Sequence, residues 1–479
     1  MVPSDPTPET SRTPDPRRWR ALAVTQAAGF MGLLDVSIVN VALPSIQADL
    51  GASPSGAQWI ISGYALTFGL SLVAGGRLGD ALGRRRMFLI ALTGFVLTSA
   101  LAGAAHSLEL LVVARLLQGF TSGLLTPQNA GLIQDMFSGG ERGRAFGIFG
   151  ATVGISTAVG PVLGGVILAL FGEPGGWRWV FYVNLPIGAV TLLLAARLLP
   201  RRGSSGRPDI DVVGALLLGL AVLGLLFPLV QADELAVLWW LFPLAAAIGY
   251  GFVRWERRVV ARGRVPLMDT RLFTGTPGYV TGAVVGLAYF CGFTGIWLVF
   301  ALYFQSGLGF SPLESGLAVS PFAVGSAVSA AVAGRLVERV GRLLTVVGLC
   351  LVAGGLAVVA VVPLVVEGSS VVWWLAVPML VAGVGGGAVI SPNTTLTLAC
   401  VPNRMAGVAG GLLQTGQRIG TAIGTAALGT AFHAVLGAGG GYPHAVSVAL
   451  GCAVGFVVLA LGVAVVDRRR TQRAAPVGA

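Results

Sequence analysis

Long apolar runs alternate with short polar connections along the whole chain. A helix needs about 20 apolar residues to cross the hydrocarbon core of a membrane. Fourteen runs satisfy this length: 20–45, 57–78, 87–105, 108–136, 144–171, 178–199, 210–231, 236–255, 278–304, 313–335, 343–365, 371–398, 405–432 and 445–466. The pattern predicts an all-α integral membrane protein with fourteen transmembrane helices, called spans 1 to 14 in chain order.

Basic residues divide the connections between spans into two sets. Arginine clusters lie in both tails and after even-numbered spans, as at 84–86, 197–207, 254–271 and 335–342. Connections that follow odd-numbered spans hold one arginine, Arg178, beside acids such as Asp49 and Glu173. Because basic connections stay on the cytoplasmic side of a cell membrane, the alternation predicts that both termini are cytoplasmic. It also supports the span count, because a miscounted span would disturb the alternation from that point onward.

Composition agrees with a chain surrounded by lipid. Hydrophobic residues make up 55% of its 479 residues and charged residues 11%, against roughly 25% charged residues in soluble domains. The net charge of +11 lies mostly in short connections, which argues against a nucleic-acid partner. All 31 basic residues are arginine, which we interpret as the codon bias of a GC-rich, bacterial genome. The four cysteines form no C-x-x-C motif, and the chain has only three histidines. We therefore expect neither structural disulfides nor a metal site.

The connection after span 2 recurs after span 10. Within the segments 76–85 and 334–343, Gly76, Leu78, Gly83 and Arg84 align with Gly334, Leu336, Gly341 and Arg342, while Asp80 aligns with Glu338. Matching loops in two halves indicate a duplicated transporter. We therefore predict a disordered tail at 1–19, a six-helix bundle at 20–199, a linker with two extra transmembrane helices at 200–271, a second six-helix bundle at 272–466 and a tail at 467–479.

The repeated loop and other segments resemble the major facilitator superfamily, in its branch of fourteen-spanner drug:proton antiporters. The loop from Gly76 to Arg85 matches G-x-L-x-D-R-x-G-R-R, with Ala81 where the family has a basic residue. Residues 34–44 match L-D-x-T-I-V-N-V-A-L-P, with Ser37 for threonine, and residues 115–119 match R-x-x-Q-G. Segments 160–165 and 414–424 also resemble this branch. The ordered set covers nearly all of 20–466.

This resemblance implies the major facilitator fold, which consists of two six-helix bundles, here with two inserted linker helices. It also implies a gate at the repeated loop. The gate residues would be Gly76, Asp80, Gly83, Arg84 and Asp135, with Glu338 and Arg342 as the second copy. Ordinary basic decoration of a cytoplasmic loop is the alternative.

A glycine-rich segment interrupts span 5. The resemblance makes this segment, with Gly160, Pro161, Gly164 and Gly165, a leak-limiting interface between the two bundles. Because glycines let neighbouring helices approach closely, generic close packing is the alternative.

Two charged residues lie inside predicted spans. Asp35 is eight residues from the outer end of span 1, a depth of roughly 12 Å, and Arg115 is near 9 Å deep in span 4, at about 1.5 Å per residue. Charges within a membrane are costly, so they mark candidate functional sites. An acid that an arginine stabilises in its charged form and that desolvation opposes can bind and release a proton. We predict that the pair carries proton coupling; a static ion pair that fixes helix packing is the alternative.

Further residues are candidates for a substrate cavity between the bundles. Gln414 and Arg418 lie one turn apart in span 13, where they would contact substrate or anchor a polar network. Gln118 belongs to the span 4 motif. Tyr289, Phe293 and Trp297 form an aromatic stripe on span 9 that Phe300 and Phe304 continue. Aromatic rings suit flat apolar or cationic substrates, although packing against lipid or another helix is the more common reason for such a stripe.

Together these features predict proton-coupled efflux of hydrophobic drugs, antibiotics or secondary metabolites by alternating access. We expect a monomer in the plasma membrane that uses protons as its coupling ion, needs no cofactor or ATP, contacts membrane lipids and is not an enzyme. A dedicated exporter of one self-made antibiotic is an alternative. A facilitator or importer of a small nutrient on the same fold is another, but it would want more polar residues in the second half.

Overall fold

Helices account for all regular structure in the part of the chain that the computed structural model describes, namely residues 16–52, 54–172, 175–200, 211–230, 235–263, 266, 271–276, 278–399, 401–402 and 405–474. The α-helices are α1 (Arg18–Leu50), α2 (Pro54–Leu82), α3 (Arg84–Gly103), α4 (Leu108–Met136), α5 (Gly139–Phe171), α6 (Arg178–Tyr182), α7 (Asn184–Leu198), α8 (Val212–Val230), α9 (Leu235–Leu238), α10 (Leu241–Ala261), α11 (Arg271–Thr274), α12 (Tyr279–Ala301), α13 (Pro312–Val340), α14 (Arg342–Val365), α15 (Val371–Ala399), α16 (Ala406–Gly437) and α17 (Tyr442–Ala474). A π-helical turn (Leu302–Gly307) extends α12. Residues 1–15 of the predicted tail lie outside the described residues.

Eleven helices in the described residues are long and apolar enough to cross a membrane. The three predicted spans that are not among the eleven are 144–171, 210–231 and 236–255, which correspond to α5, α8 and α10. Shorter apolar stretches, Val162–Phe171 and Val213–Leu229, mark α5 and α8, while α10 carries Arg254, Glu256, Arg257 and Arg258 near its end. The all-helical prediction is therefore confirmed for the described residues, and the count of fourteen stays a prediction.

The repeated loops make the same kind of turn in both halves of the chain. Gly83 separates α2 from α3 with a φ of 95°, and Gly341 separates α13 from α14 with a φ of 60°. Residues with side chains rarely adopt such positive φ values, so glycine is needed at both positions. The sequence repeat is thus also a repeat of structure. We call the end of the molecule that carries these two turns the loop end.

Apolar side chains divide the long helices into two groups. Side chains of α1 to α7 form two clusters, one around Phe88 and Phe95 and one around Leu111 and Phe181. Side chains of α12 to α17 form one larger cluster that includes Phe322. We call α1–α7 the first half and α12–α17 the second half.

A cluster at the loop end joins the two halves. It contains Leu22, Ile133 and Phe146 from the first half and Tyr279, Leu398 and Leu413 from the second half. These side chains are all buried. Because apolar burial excludes water, this cluster, which we call the apolar plug, closes the space between the halves at the loop end.

Glycines bring α5 and α13 into backbone contact beside the plug. A Cβ atom at Gly143 would lie 2.5 Å from the carbonyl oxygen of Gly334, and one at Gly147 would lie 3.1 Å from the Gly334 Cα. Farther along the same helix, Gly160 and Gly164 pack against Ser37 and Val41 of α1 instead. Helix α5 therefore contacts the second half near the loop end and its own half farther away.

Helix α16 repeats this pattern from the other side. Near its start, Gly411 lies against Leu72 and Val73 of α2, in the first half. Later, Gly420 and Gly424 lie against α12, in its own half. The glycine contacts between the halves are thus concentrated at the loop end.

The two inserted helices pack as a pair beside one seam. Helix α8 lies against α10 and covers the line along which α2 meets α16. Its Val222 and Leu226 belong to a cluster with Leu66 of α2 and Ile419 of α16. Helix α8 therefore packs against both halves at the α2–α16 seam.

Asp49, which lies beyond the membrane-length segment of α1, forms an ion pair that fixes the end of this helix. Asp49 Oδ2 accepts hydrogen bonds from Arg178 Nη1 and Trp177 Nε1, each at 2.8 Å. The hydrogen bond from Arg178, together with that from Trp177, lowers the pKa of Asp49 from its ordinary value. A carboxyl group whose pKa falls on folding stabilises the fold above its unfolded pKa, near 3.9, and this contribution disappears as the pH falls through the folded value.

We expect Asp49→Asn to lower the free energy of unfolding by about 1 kcal/mol at pH 7, because the pair is partly exposed. The difference from the wild type should shrink below about pH 4, where the wild-type carboxyl group also becomes neutral. Chemical unfolding of purified protein in detergent at pH 7 and pH 3.5 measures both values. An equal difference at the two pH values would rule out a charge-dependent contribution.

Candidate functional site

A buried ion pair joins α1 to α4 in the first half. Arg115 Nη1 lies 2.5 Å from Asp35 Oδ2, and the two side chains are 1% and 0% exposed. A buried charge is tolerated when it is paired and hydrogen-bonded. The two residues that the sequence places at comparable depth are therefore in direct contact.

Two amides complete the hydrogen bonds to the carboxylate. Gln118 Nε2 and Asn184 Nδ2 both donate to Asp35 Oδ1, at 3.0 and 2.9 Å. Arg115 also donates to Gln118 Oε1 at 2.7 Å and to the Ile60 carbonyl oxygen at 3.0 Å. Asp35 thus accepts three hydrogen bonds from α4 and α7. Gln118, predicted for the substrate cavity, is fully buried in this network.

Sequence reasoning missed Asn184, the first residue of α7. The polar side chain inside an apolar span could have identified Asn184, because an amide needs a protein partner when lipid surrounds the helix. Asn184 Nδ2 also donates to Ser99 Oγ of α3 at 3.0 Å, and Ser99 in turn donates to the Phe181 carbonyl oxygen. The hydrogen-bonded side chains of the site therefore come from four helices, α1, α3, α4 and α7.

Aromatic rings connect Arg115 with a second cation, which belongs to the second half. Its guanidinium carbon lies 4.3 Å from the centre of the Tyr64 ring, which stacks on Phe68. Arg418 of α16 lies over the other ring, 4.4 Å from the Phe68 centre. Cations over aromatic faces are stabilised electrostatically. The row Arg115–Tyr64–Phe68–Arg418 thus runs from the carboxylate to the second half.

Arg418 differs from Arg115 in its partners. Within the described part of the chain, no carboxylate lies at ion-pair distance from Arg418. Its side chain and that of Gln414 are only partly buried. Its contact with Phe68 places Arg418 at the boundary between the halves, and Gln414 lies one turn before it on α16.

The first copy of the repeated loop contacts both halves. Arg84 bridges Asp80, at 3.0 Å, and Asp135, at 2.8 Å, and also donates to the Gly131 carbonyl oxygen. Asp80 Oδ2 accepts a hydrogen bond from the Val408 backbone N–H at 3.2 Å, in the first turn of α16. Anions are stabilised at helix N-termini. Gly76 is buried on α2, one turn before Asp80.

The second copy of the loop is only partly equivalent. The Glu338 carboxylate lies against Gly139 and Gly140, where a Cβ atom at Gly140 would come within 2.6 Å of Glu338 Oε2. It therefore faces the start of α5, as Asp80 faces the start of α16. Arg342 instead pairs with Asp467 of α17 at 2.9 Å and donates to Asn393 Oδ1 and the Gly278 carbonyl oxygen, all within the second half. Asp467 was not predicted.

The glycine-rich segment of α5 packs within the first half. Gly160 and Gly164 contact α1, Gly165 faces open space, and Pro161 continues the helical backbone.

The aromatic stripe on α12 lies mostly inside the second half. Tyr289, Phe300 and Phe304 are buried in its apolar cluster. Phe293 and Trp297 also line a small cavity that is completed by Val153 and Gly154 of α5. These two members of the stripe therefore lie beside α5 of the first half.

No group of three or more metal-binding side chains is found in the residues that the structure describes. Among the cysteines, Cys291, Cys350 and Cys452 are free, and Cys400 lies outside the described residues.

Two facing helical halves, a buried ion pair in one of them and many apolar helices define a multi-pass membrane transporter. The sequence profile described as "Major Facilitator Superfamily" matches residues 27–212 and 282–479. The chain belongs to this superfamily, as its motifs predicted. Members of this family are transporters rather than enzymes.

Several sequence relatives are named after antibiotics. The chain is 40% identical to the "Probable actinorhodin transporter" of Streptomyces coelicolor, over 91% of this chain and 77% of the relative. It is 36% identical to the puromycin resistance protein pur8 of Streptomyces alboniger, over 87% and 82%. It is 33% identical to the tetracenomycin C resistance and export protein of Streptomyces glaucescens, over 86% and 76%.

Solved structures agree with the fold. The human organic anion transporter MFSD10 superposes with a TM-score of 0.69 at 16% identity, covering 94% of this chain and 100% of that one. The proton:xylose symporter XylE gives a TM-score of 0.63 at 17% identity, covering 93% and 94%. At these identities the likeness concerns the fold alone.

Proposed function

We propose that this protein exports hydrophobic antibiotics, drugs or secondary metabolites in exchange for protons, by alternating access. The names of its relatives, which include an actinorhodin transporter and a tetracenomycin C export protein, support the substrate class. The single observation that carries proton coupling is the fully buried Asp35, ionically paired with Arg115. A carboxyl group in this position can hold a proton when its surroundings change.

Fourteen helices would cross a bacterial cell membrane. They are the eleven long apolar helices together with α5, α8 and α10. Both termini and the loop end are cytoplasmic. The arginine alternation supports this orientation.

The conformation described above corresponds to the state that is closed to the cytoplasm. The apolar plug, the α5–α13 glycine contacts and the hydrogen bond from Val408 to Asp80 all lie at the cytoplasmic end. A proton from outside would neutralise Asp35 and release Arg115 from its partner. The halves would then rock, the plug would open, and substrate would bind from the cytoplasm between them. Loss of the proton to the cytoplasm would restore the ion pair.

Substrate would contact residues of both halves. Arg418 lies against Phe68 of the other half, with Gln414 one turn away on α16, and Phe293 and Trp297 line the small cavity beside α5. Aromatic and apolar walls with few polar groups suit a flat hydrophobic molecule. A dedicated exporter of one antibiotic is the second candidate, since three relatives are each named after a single compound.

Expression in a bacterial host that lacks its own drug pumps tests the proposal. Cells would be exposed to actinorhodin, puromycin, tetracenomycin C and a panel of cationic and neutral dyes. We expect lower accumulation of at least one compound than in vector controls, and we expect a proton uncoupler to remove the difference. Efflux that persists after uncoupling would refute proton coupling, and protection against one compound alone would select the dedicated exporter.

A further inference from the structure

Asn184 has an unusual position beside the coupling carboxylate. Its side chain is fully buried. Nδ2 donates to Asp35 Oδ1 at 2.9 Å and to Ser99 Oγ at 3.0 Å. Within the described residues, Asn184 Oδ1 is buried and has no hydrogen-bond donor. A buried carbonyl oxygen without a donor costs free energy. The lack of a hydrogen bond to Asn184 Oδ1 therefore needs an explanation.

The other amide at the site is occupied at both ends. Gln118 donates to Asp35 through Nε2 and accepts from Arg115 through Oε1. Turning this amide over would place its NH2 group against the guanidinium, where two donors would face each other. Gln118 is therefore held in one orientation, whereas Asn184 has no such restraint on its oxygen.

The two protonation states of Asp35 need opposite partners. An ionised carboxylate only accepts hydrogen bonds, but a neutral carboxylic acid presents an O–H group that must donate. Arg115 carries only donors, and the Tyr64 hydroxyl already donates to Ser122 Oγ at 2.8 Å. The carbonyl oxygen of Asn184 is the available acceptor in this network. A half-turn of the amide brings it to Asp35, and the Ser99 hydroxyl can donate to it there.

We infer that Asn184 is a positioning residue that serves Asp35 in both protonation states, donating to the carboxylate and accepting from the carboxylic acid. The inference rests on the proposed function, because it assumes that Asp35 takes up and releases the coupling proton. Proton uptake forms the O–H bond of Asp35 and breaks one O–H bond of a hydronium ion, which becomes water; proton release is the reverse step.

The charged and titratable groups around Asp35 do not provide an acceptor for its O–H group, which leaves the Asn184 amide to accept that hydrogen bond. Arg115 faces Asp35 from α4, and the Tyr64 ring of α2 lies 4.3 Å from the guanidinium carbon of Arg115. Arg418 of α16 is two aromatic rings away. The described contacts from α3 and α7 are made by Ser99 and Asn184, which do not titrate.

Infrared difference spectroscopy of the purified full-length protein in lipid tests the inference without a substrate. Titration from acid to alkaline pH should reveal the C=O band of neutral Asp35, identified by its loss in Asp35→Asn. In the wild type, a side-chain amide C=O signal should change together with that band. Asn184→Leu should remove the amide signal and shift the frequency of the carboxyl band, because its O–H group has lost its acceptor.

Two further variants complete the experiment. Asn184→Asp, which has nearly the same shape, should move the midpoint of the carboxyl titration to higher pH by about one unit or more, because two adjacent carboxyl groups resist simultaneous ionisation. Asn129→Leu is the matched control. It removes another buried amide with an unpartnered oxygen on α4, and we expect the Asp35 band and midpoint to stay unchanged.

The outcomes separate the inference from the proposed function. An Asp35 band that titrates with the same frequency and midpoint in Asn184→Leu and Asn184→Asp would overturn the inference alone. If no band distinguishes the wild type from Asp35→Asn, the proposed proton site fails and the inference fails with it. Should Asn184→Leu not fold, the Asn184→Asp midpoint and the wild-type amide signal still decide.

Discussion

Asp35→Asn should abolish pH-gradient-driven efflux while leaving the protein in the membrane. Asparagine keeps the size of the side chain, but it cannot bind and release a proton. Arg115 would remain charged at all times, without the partner that it contacts at 2.5 Å. Breaking one side of a buried pair typically costs about 3–5 kcal/mol, so efflux is to be compared per amount of protein found in the membrane.

A second variant separates these two effects. Asp35→Asn combined with Arg115→Gln removes both charges, and we expect it to restore the amount of folded protein without restoring efflux. Asp49→Asn is the matched control, since it makes the same chemical change on the same helix at a site that is partly exposed. Efflux would be followed in inverted vesicles with an imposed pH gradient. Full gradient-dependent efflux by Asp35→Asn would refute the assignment of the proton site.

Gly143→Leu should prevent the cytoplasmic end from closing. Its Cβ atom alone would lie 2.5 Å from the Gly334 carbonyl oxygen and 2.7 Å from Val337 Cγ1, so the rest of the side chain would force α5 and α13 apart. Overpacking of this kind costs about 1–3 kcal/mol. Applied to one of two conformations, that cost changes their ratio by about 5- to 150-fold.

Thiol labelling measures this shift. A cysteine in place of Ala130, which is buried in the apolar plug, would be introduced into a chain whose four native cysteines are replaced by serine. We expect it to react faster with a water-soluble maleimide from the cytoplasmic side in Gly143→Leu than in the parent. Gly354→Leu, on α14 where nothing lies near the added group, should react like the parent. Equal rates in all three would mean that the crossing does not control closure.

The ion pair could be anticipated because helix geometry is regular. A rise of about 1.5 Å per residue fixes the depth of Asp35 and Arg115 along their helices, and the cost of an unpaired charge supplies the reason for contact. Depth does not say which helices are lateral neighbours. The contacts of Asp35 with Asn184, and of Arg342 with Asp467, depend on how α7 and α17 pack, which hydropathy does not reveal.

The repeat shows the same limit. Gly83 and Gly341 could be matched because the two loop sequences align, and the positive φ at both positions explains why glycine recurs there. Their neighbours diverge, however, since Arg84 binds acids of the first half whereas Arg342 binds the last helix. Likewise, an i, i+4 aromatic stripe predicts a shared face on α12 but not the neighbour of that face. Phe300 and Phe304 pack inside their own half.

The inserted helices make the two seams of the transporter unequal toward the bilayer. Helix α8 backs the α2–α16 seam with protein through Val222 and Leu226, whereas exposed apolar side chains such as Ile155 and Val324 flank the α5–α13 seam. A hydrophobic compound dissolved among the lipid tails therefore meets the additional helix α8 at the α2–α16 seam. At the α5–α13 seam it meets the two halves directly. For molecules that partition into the membrane before they are exported, the inserted helices therefore make the two sides of the transporter different routes of entry.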